Sequence, residues 1–204
     1  GLVLGALAIL LGIGAVDYDA WYALVQEDGV VEWVTVLALL PTAGLCLWGA
    51  RRSHRTTGRL PWFLVGLAAF CLFFAGEEIS WGQRLLGFLP PNYFLEHNSQ
   101  QETNVHNLFK HIVRTKYLTI GILVLYGVAL PLLGFPRRVG RLLDRLGLIW
   151  PPLSHAPLWA AGAVLLVVYP LKYSGEVAEM VLALGLLYGV FARITEPRGP
   201  AGER

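Results

Sequence analysis

The sequence predicts an all-α protein that crosses a membrane several times, and three observations support that prediction. Of the 204 residues, 55% are hydrophobic and only 15% are charged, whereas a typical soluble domain has about 25% charged residues. The apolar residues form long uncharged stretches, not the alternating segments of about ten residues that a membrane barrel needs. Lysine and arginine are concentrated in every second connecting segment. Because backbone groups in lipid must bond internally, the apolar stretches are predicted to be helices.

Six stretches of a single domain covering 1–204 are predicted to span the membrane. The first is interpreted as a helix rather than a cleaved signal peptide, because no basic segment precedes its apolar core. A span requires about 20 apolar residues, and fewer when flanking residues reach the interface. The fifth stretch is short and bounded by prolines. The predicted spans are approximately 2–21, 30–50, 60–79, 117–134, 153–169 and 177–193.

The charged residues predict the orientation of these helices. With six spans, the segments 51–59 and 136–145 and the C-terminal segment lie on one side, with 11 Lys/Arg residues against three acids. The opposite side has five Lys/Arg residues and 11 acids. The positive-inside rule places the basic side in the cytoplasm. Both termini are therefore predicted to be cytoplasmic, in a bacterial inner membrane.

Two smaller features lie within this arrangement. Arg137, Arg141 and Arg145 recur every four residues, which predicts a short amphipathic helix that lies on the cytoplasmic surface and contacts anionic lipid headgroups. Cys46 and Cys71 both fall inside predicted spans, where they are interpreted as small core residues rather than a disulfide. Membrane lipids are therefore expected partners.

Polar residues converge on the predicted outer side. Four separate stretches place carboxylates, amides and a histidine near the ends of the spans. Ionisable groups at such depths are costly unless they are paired or hydrated, so the pattern predicts a polar cavity that opens outward. The acidic character of this side also argues against a nucleic-acid partner. The four stretches are 27–32, 76–84, 98–107 and 175–179.

The end of the third span has two adjacent carboxylates, Glu77 and Glu78. At 3.6 residues per turn, one helix face carries Glu77, Ser80, Trp81 and Arg84, and Glu78 lies beside it. Adjacent carboxylates repel each other, so one retains a proton or both share a cation. The alternative is that Arg84 pairs with Glu77 or another acid and the segment serves only packing.

The longest outer loop, 80–116, is predicted to be helical or re-entrant. In a helix, Glu102 and His106 lie four residues apart on one face, where they could hold a metal ion or form an oriented general base. The spacing of Ser99 and Glu102 fits a capping box, so Glu102 alternatively only caps the helix. In an extended chain, alternate residues from Asn98 to His106 would share a face instead.

The sixth span begins with Glu176 and Glu179, which lie on one helix face. Acids at a helix N-terminus can simply favour the helix dipole. Glu179 is deeper in the span and is predicted to face the cavity. Glu32 likewise lies inside the second span, whereas Glu27 is predicted to lie in the preceding loop.

Two motifs resemble a pattern in uncharacterised bacterial multi-pass membrane proteins. The first is Gly-Glu-Glu-Ile-Ser-Trp-Gly-Gln-Arg at 76–84, and the second is Asn-x-Gln-x-Glu-x-Asn-x-His-Asn at 98–107. The stretch from Glu27 to Glu32 belongs to the same pattern, so the resemblance covers 27–107. It implies that these residues form one site, and it implies no reaction.

The leading functional hypothesis is a membrane-embedded enzyme that acts on a lipid or a lipid-linked substrate. Carboxylates with a histidine suit a divalent metal ion that activates water, or general acid–base chemistry. The predicted catalytic residues are Glu77, Glu78, Glu102 and His106, and the predicted metal ligands are the same four residues with Glu179. The predicted substrate-binding residues are Gln83, Arg84, Asn98, Gln100, Asn104 and Asn107.

Two alternatives stay open at this point. Intramembrane carboxylates also serve proton and cation pathways, which would make the protein a transporter. A polar outer surface could instead bind another membrane protein or a second copy of the chain, which would make the protein an accessory or structural subunit. The apolar, proline-rich segment 88–95 is either a lid over the site or an aromatic anchor at the interface.

Overall fold

The computed structural model describes residues 2–98, 100–105, 108, 115–168 and 172–195. Of the residues that the structure describes, 82% lie in helices and none lies in a strand. In each helix the backbone N–H and C=O groups bond within the same segment, as an apolar environment requires. The sequence also lacks the alternating segments that strands would need. The prediction of an all-α fold is therefore confirmed.

Ten helices, numbered α1 to α10 in chain order, form most of the described part of the chain. Short 3₁₀ turns, Ser80–Gly82 and Leu153–His155, precede α5 and α9. Helix α7 contains a π-helical segment, Leu125–Ala129, between two α-helical parts. The helices are α1 Leu2–Val16, α2 Tyr18–Val25, α3 Val30–Thr57, α4 Trp62–Glu78, α5 Gln83–Leu86, α6 Asn92–His97, α7 Thr115–Val124 with Leu130–Gly134, α8 Arg137–Arg145, α9 Ala156–Val168 and α10 Ser174–Thr195.

Three helical stretches of the described chain are long and apolar enough to cross a membrane: Tyr18–Thr57, Lys116–Gly134 and Ser174–Thr195. A fourth crossing arises if α4 and the segment Ser80–Leu86, which are bent by 65° relative to each other, count as one span. Helix α1 and the segment Leu153–Val168 are apolar but shorter. Length and composition thus give three to four crossings, and the expectation of six goes beyond them.

The first predicted span, 2–21, is two helices that meet at Asp17. The Asp17 carboxylate accepts a hydrogen bond from the Ala20 backbone N–H at 3.0 Å, so Asp17 is the N-cap of α2. A side chain that caps a new helix favours extended backbone at its own position, which ends the preceding helix. Helix α1 therefore stops at Val16 rather than continuing to 21.

Contacts between distant segments define two ends of the molecule. At one end, Arg84 after α4 pairs with Asp28 before α3. At the other end, Arg193 of α10 pairs with Asp144 of α8. The acidic end comprises residues 17–32, 76–98, 100–105 and 172–179, and the basic end comprises residues 49–62, 134–153 and 189–195.

Small residues allow the helices to approach closely in the middle of the bundle. The buried Trp159 ring of α9 lies against α7 and α10, where a Cβ on Gly127 would be 2.2 Å and one on Gly185 would be 2.7 Å from ring atoms. Close helix approach at glycine is typical of packing in membranes. Cys46 and Cys71 are buried free thiols, as predicted for core residues.

Candidate functional site

The chain bends by 65° after α4 through a left-handed turn. Ser80, Trp81 and Gly82 have φ values of 46°, 55° and 81°, a conformation that is uncommon for residues with side chains. The Trp81 ring lies on Gly76, where a Cβ would be only 2.9 Å from ring carbons. The two glycines of the first motif thus have separate roles: Gly76 admits the indole, and Gly82 completes the turn.

Glu77 connects this turn to the outer loop. Its side chain is buried, and its two oxygens accept hydrogen bonds from the Trp81 indole N–H and the Val105 backbone N–H, both at 2.7 Å. Hydrogen bonds to an ionised acceptor are stronger than neutral ones. Glu77 therefore acts here as a structural acceptor that fixes the position of the loop.

Glu102 lies at the centre of a buried cluster with Ser80 and Asn104. The Ser80 hydroxyl donates to Glu102 Oε2 at 2.9 Å, and the Asn104 amide donates to the same oxygen at 2.7 Å. The Asn104 amide also lies 3.3 Å from Ser80 Oγ. Since the hydroxyl proton points to the carboxylate, Ser80 is oriented by Glu102, and three side chains from two segments form one unit.

Asn98 shapes the loop around Glu102. Its amide nitrogen donates to the Glu102 carbonyl at 2.7 Å and to the Asn104 carbonyl at 3.1 Å, while its side-chain oxygen accepts from the Gln100 N–H at 2.9 Å. Side-chain bonds to the backbone compete with helix formation. Gln101 also adopts a positive φ of 55°. Glu102 therefore lies in a non-helical segment, and the predicted helix across 102–106 does not begin at Glu102.

Gln83 holds the same loop from the other side. Its side-chain oxygen accepts from the Thr103 backbone N–H at 2.7 Å and from the Thr103 hydroxyl at 2.8 Å. Gln100 reaches a different segment, since its amide donates to Glu27. The predicted substrate-binding amides Gln83, Asn98 and Asn104 are thus engaged in internal hydrogen bonds.

Arg84 is surrounded by carboxylates from three segments. Its guanidinium lies 2.8 Å from Asp28 and 3.3 Å from Glu102, with Glu27 and Glu32 each at 3.8 Å. The side chain is only 28% exposed. The sequence left two interpretations of Arg84, and this geometry fits the one in which Arg84 pairs with acids of the protein. Glu77 is not among these partners. These hydrogen bonds and ion pairs join one set of residues, which we call the loop network. It comprises Asp28, Glu77, Ser80, Trp81, Gln83, Arg84, Asn98, Glu102, Thr103, Asn104 and Val105.

Glu78 lies near a different set of residues from Glu77. Its carboxylate converges with those of Glu176 and Glu179 on α10, and the ligand atoms of the three residues all lie within 4.8 Å of one another. Neighbouring residues of a helix point about 100° apart, which explains how adjacent acids serve separate clusters. We call these three residues the carboxylate cluster.

The carboxylate cluster adjoins a cavity of about 40 Å³ between α3, α4, α7 and α10. Glu78 and Glu179 line it together with two buried hydroxyl side chains, Thr35 and Thr119. The remaining wall is apolar and includes Phe70, two turns deeper than Glu78. With these four polar groups in a largely apolar wall, a cavity of this size has room for a few water molecules or a small ion.

The structure thus divides the predicted site residues between two clusters. Glu77, Gln83, Arg84, Asn98, Glu102 and Asn104 belong to the loop network, Gln100 contacts Glu27 beside it, and Glu78 and Glu179 belong to the carboxylate cluster. His106 and Asn107, and Ser99 of the proposed capping box, lie outside the described residues.

Several contributors received no individual role from the sequence, among them Asp28, Trp81 and Thr35. Asp28 is the closest carboxylate to Arg84, and its positive φ of 59° accords with the Asp-Gly pair that it forms with Gly29. Trp81 holds Glu77, and Thr35 lines the cavity although its hydroxyl bonds the Val31 carbonyl within its own helix. Only the Asp-Gly pair offered a local indication in the sequence, since such pairs favour turns.

Fold and site together define the class of the protein: it is all-helical, with three to four helices apolar enough to cross a membrane and with polar residues gathered at one end. No protein-family model, curated protein or solved structure matches the chain. Conclusions about its activity therefore depend on its own residues.

Proposed function

We propose that the chain is a six-span protein of a bacterial cytoplasmic membrane, with its basic end in the cytoplasm. Arg59 and Arg193 lie on segments of the same end, and 11 of the 16 Lys/Arg residues fall on the side that the positive-inside rule assigns to the cytoplasm. In this arrangement α1 and α9 are the two short crossings, which a bilayer accommodates by local thinning. The acidic end then faces outward.

We propose further that the protein is a membrane-embedded enzyme whose carboxylate cluster holds a divalent cation. The observation that carries this proposal is the convergence of Glu78, Glu176 and Glu179, from helices about 100 residues apart in sequence, beside a cavity that Thr35 and Thr119 also line. Oxygen-only ligands suit hard cations such as Mg²⁺, Mn²⁺ and Ca²⁺. Carboxylates that converge this closely repel one another, and a bound cation would relieve that repulsion.

Glu78 supplies a second reason for a cation. Within the described part of the chain, no cationic side chain or hydrogen-bond donor contacts its carboxylate, and its charged neighbours are acids. The nearby guanidinium, that of Arg84, is held by the loop network instead. A bound cation would satisfy Glu78 and bring the two α10 carboxylates into one coordination sphere.

The proposed substrate is a lipid or a lipid-linked molecule that reaches the cluster from the bilayer. The apolar side chains Phe70, Phe74 and Leu118 in the cavity wall favour a substrate that approaches from the bilayer, with only its reactive group entering a cavity of about 40 Å³. A cation at the cluster would polarise an ester or phosphoryl group or activate water. In this account Glu78 and Glu179 are the principal ligands, Glu77 and Glu102 position the loop, and His106 stays a predicted general base.

Metal binding by purified protein tests this proposal. The protein in detergent is stripped with a chelator, exposed to Mn²⁺ and analysed for bound metal after desalting. We expect about one ion per chain for the native protein and a large loss for Glu179→Gln, which retains the size of the side chain. Glu96→Gln is the matched control, because Glu96 is an exposed acid at the same end and lies outside the cluster.

The two variants give distinct outcomes. Equal metal content in the native protein and Glu179→Gln would contradict the proposal, whereas equal losses in Glu179→Gln and Glu96→Gln would indicate diffuse attraction to the acidic end. Folding of each variant is checked by helical circular dichroism, so that a loss of metal is not confused with a loss of structure.

Cation or proton transport is a second candidate function, and the depth of the cavity favours it. The lining reaches from Glu78 to Phe70 along α4 and includes Thr35 and Thr119, so polar groups extend below the acidic surface. Carboxylates and hydroxyls at such depth serve proton and cation pathways. A pH-sensitive dye inside proteoliposomes distinguishes this function, because an enzyme without transport would leave the internal pH constant.

An accessory or structural subunit is the third candidate, and the saturation of the loop network favours it. Glu77 and Glu102 each accept two described hydrogen bonds, and Arg84 contacts several acids. Such a network stabilises an outer surface on which another membrane protein or a second copy could bind. Cross-linking in intact membranes tests this candidate, since it would yield a defined complex rather than the monomer.

A further inference from the structure

A second and larger cavity lies at the basic end, about 290 Å³ in volume, between α7, α8, the segment before α9 and the end of α10. Its lining combines two guanidinium groups, one carboxylate and aromatic and proline side chains. None of these residues takes part in the loop network or the carboxylate cluster. The residues on which its chemistry depends are Phe135, Arg141, Asp144, Trp150 and Arg193.

Arg193 is held in a fixed position in this cavity. Its Nη2 lies 3.0 Å from Asp144 Oδ1, and its guanidinium carbon lies 4.5 Å from the centre of the Trp150 ring. The side chain is 17% exposed. A guanidinium that is paired on one side and stacked on an aromatic face on the other is oriented before any ligand arrives.

Two glycines leave the space in which the Trp150 ring packs. A Cβ on Gly134 would lie 3.0 Å from the Trp150 ring, and one on Gly140 would lie 2.8 Å from the Gly134 carbonyl oxygen. The close approach of α7 and α8 at these glycines therefore depends on the absence of side chains. It places Arg141, the next residue of α8, at the cavity.

Arg141 provides the second positive charge. It is exposed, and within the described part of the chain it has no ion-pair partner. Two guanidinium groups against the single carboxylate of Asp144 leave the cavity with net positive charge. Arginine is well suited to phosphate oxygens, because its planar group donates two parallel hydrogen bonds.

The mouth of the cavity continues onto an apolar surface. Phe135 lines the cavity and is 73% exposed, and the neighbouring Leu132 and Leu133 of α7 are 54% and 62% exposed. A soluble phosphate compound would make no use of this surface, whereas an acyl chain would cover it. The charged cavity thus adjoins an apolar surface, as the phosphate of a lipid adjoins its acyl chains at the membrane surface.

We propose that the basic-end cavity binds the phosphate ester of an anionic lipid, with Arg141 and Arg193 contacting the phosphate and the acyl chain lying along Phe135 and α7. Asp144 and Trp150 are positioning residues that hold Arg193. This site is separate from the carboxylate cluster at the opposite end. Its occupation therefore does not depend on whether that cluster holds a cation.

Native mass spectrometry of the purified protein tests this site. The protein in neutral detergent is titrated with phosphatidylglycerol, phosphatidylcholine or soluble glycerol phosphate, and the bound molecules are counted. We expect one saturable phosphatidylglycerol per chain and about tenfold weaker binding for Arg141→Gln, because one of two charged hydrogen-bonding groups is lost. Arg141 is preferred over Arg193 for substitution because Arg193 also holds α8 to α10.

Arg55→Gln is the control, since Arg55 is an exposed basic residue at the same end and lies outside the cavity. An equal effect of Arg55→Gln and Arg141→Gln would overturn the proposal in favour of diffuse charge attraction. Equal binding of phosphatidylcholine would overturn the requirement for an anionic headgroup. Glycerol phosphate binding as tightly as phosphatidylglycerol would overturn the assignment to a lipid and identify a soluble phosphate ester as the ligand.

Discussion

At the scale of single residues, adjacent carboxylates have different environments. Glu77 accepts two hydrogen bonds and holds the loop in place, while Glu78 converges with two acids of α10 beside a small cavity. A buried acceptor that already has its donors contributes to stability, whereas carboxylates that converge repel one another unless a cation or a proton lies between them. The two residues therefore call for separate tests.

Substitution of Glu102 by Gln is expected to lower stability without lowering cation binding. Glu102 Oε2 accepts from both Ser80 and Asn104, and Oε1 lies 3.3 Å from Arg84. A neutral amide keeps the size but weakens these charge-assisted bonds, at a cost of about 1–3 kcal/mol. Thermal unfolding in detergent measures the effect, with the exposed Glu96→Gln as the control. An unchanged melting temperature together with lost Mn²⁺ binding would return Glu102 to the ligand set.

At the scale of elements, the left-handed turn after α4 determines where the loop lies. The indole of Trp81 packs on Gly76 and donates to Glu77, so the end of the helix and the turn form one packed unit. This unit directs α5 along the acidic end and brings Arg84 to Asp28. Its stability depends on the small size of Gly76.

Gly76→Ala is expected to destabilise the protein by about 1–3 kcal/mol, because an added methyl group would lie 2.9 Å from the Trp81 ring and force it to move. Gly66→Ala is the matched control in the same helix, since a Cβ there meets no atom within 4 Å. The control should be neutral or stabilising, as alanine favours helices. Tryptophan fluorescence and thermal unfolding report both variants, and equal effects of the two would contradict the proposed packing.

The helices were more predictable from the sequence than the loop, for physical reasons. Apolar runs specify helices locally, and α10 begins and ends close to the predicted 177–193. The segment around Glu102 depends on bonds to residues 20 or more positions away, such as that of Glu77 with Val105, which no local pattern encodes. The pairing of Glu78 with Glu179 likewise depends on tertiary packing, although both residues were predicted to belong to the site.

At the scale of the whole molecule, charge is segregated along the helical bundle. The loop network and the carboxylate cluster occupy the acidic end, and Arg141, Arg193 and the proposed lipid site occupy the basic end. A bundle with three to four helices able to cross a membrane would present these ends to different aqueous phases. The proposed orientation follows from this separation.

Cysteine labelling in intact cells tests that orientation. We expect a membrane-impermeant maleimide to label Glu96→Cys at the acidic end and to label Ser53→Cys at the basic end only after the membrane is permeabilised. The native thiols of Cys46 and Cys71 are buried and should give a low background in the unsubstituted protein. Labelling of Ser53→Cys in intact cells would contradict the cytoplasmic placement of the basic end.

The most direct test of the central claim is the position of a bound cation. Crystals of the purified protein grown with Mn²⁺ and measured near the manganese absorption edge would show the ion in an anomalous difference map. We expect one peak between Glu78, Glu176 and Glu179, with carboxylate oxygens at about 2.0–2.6 Å, and no peak in Glu179→Gln crystals. A well-ordered cluster without a peak, or a peak located elsewhere while the three carboxylates bond only to one another or to water, would contradict the account.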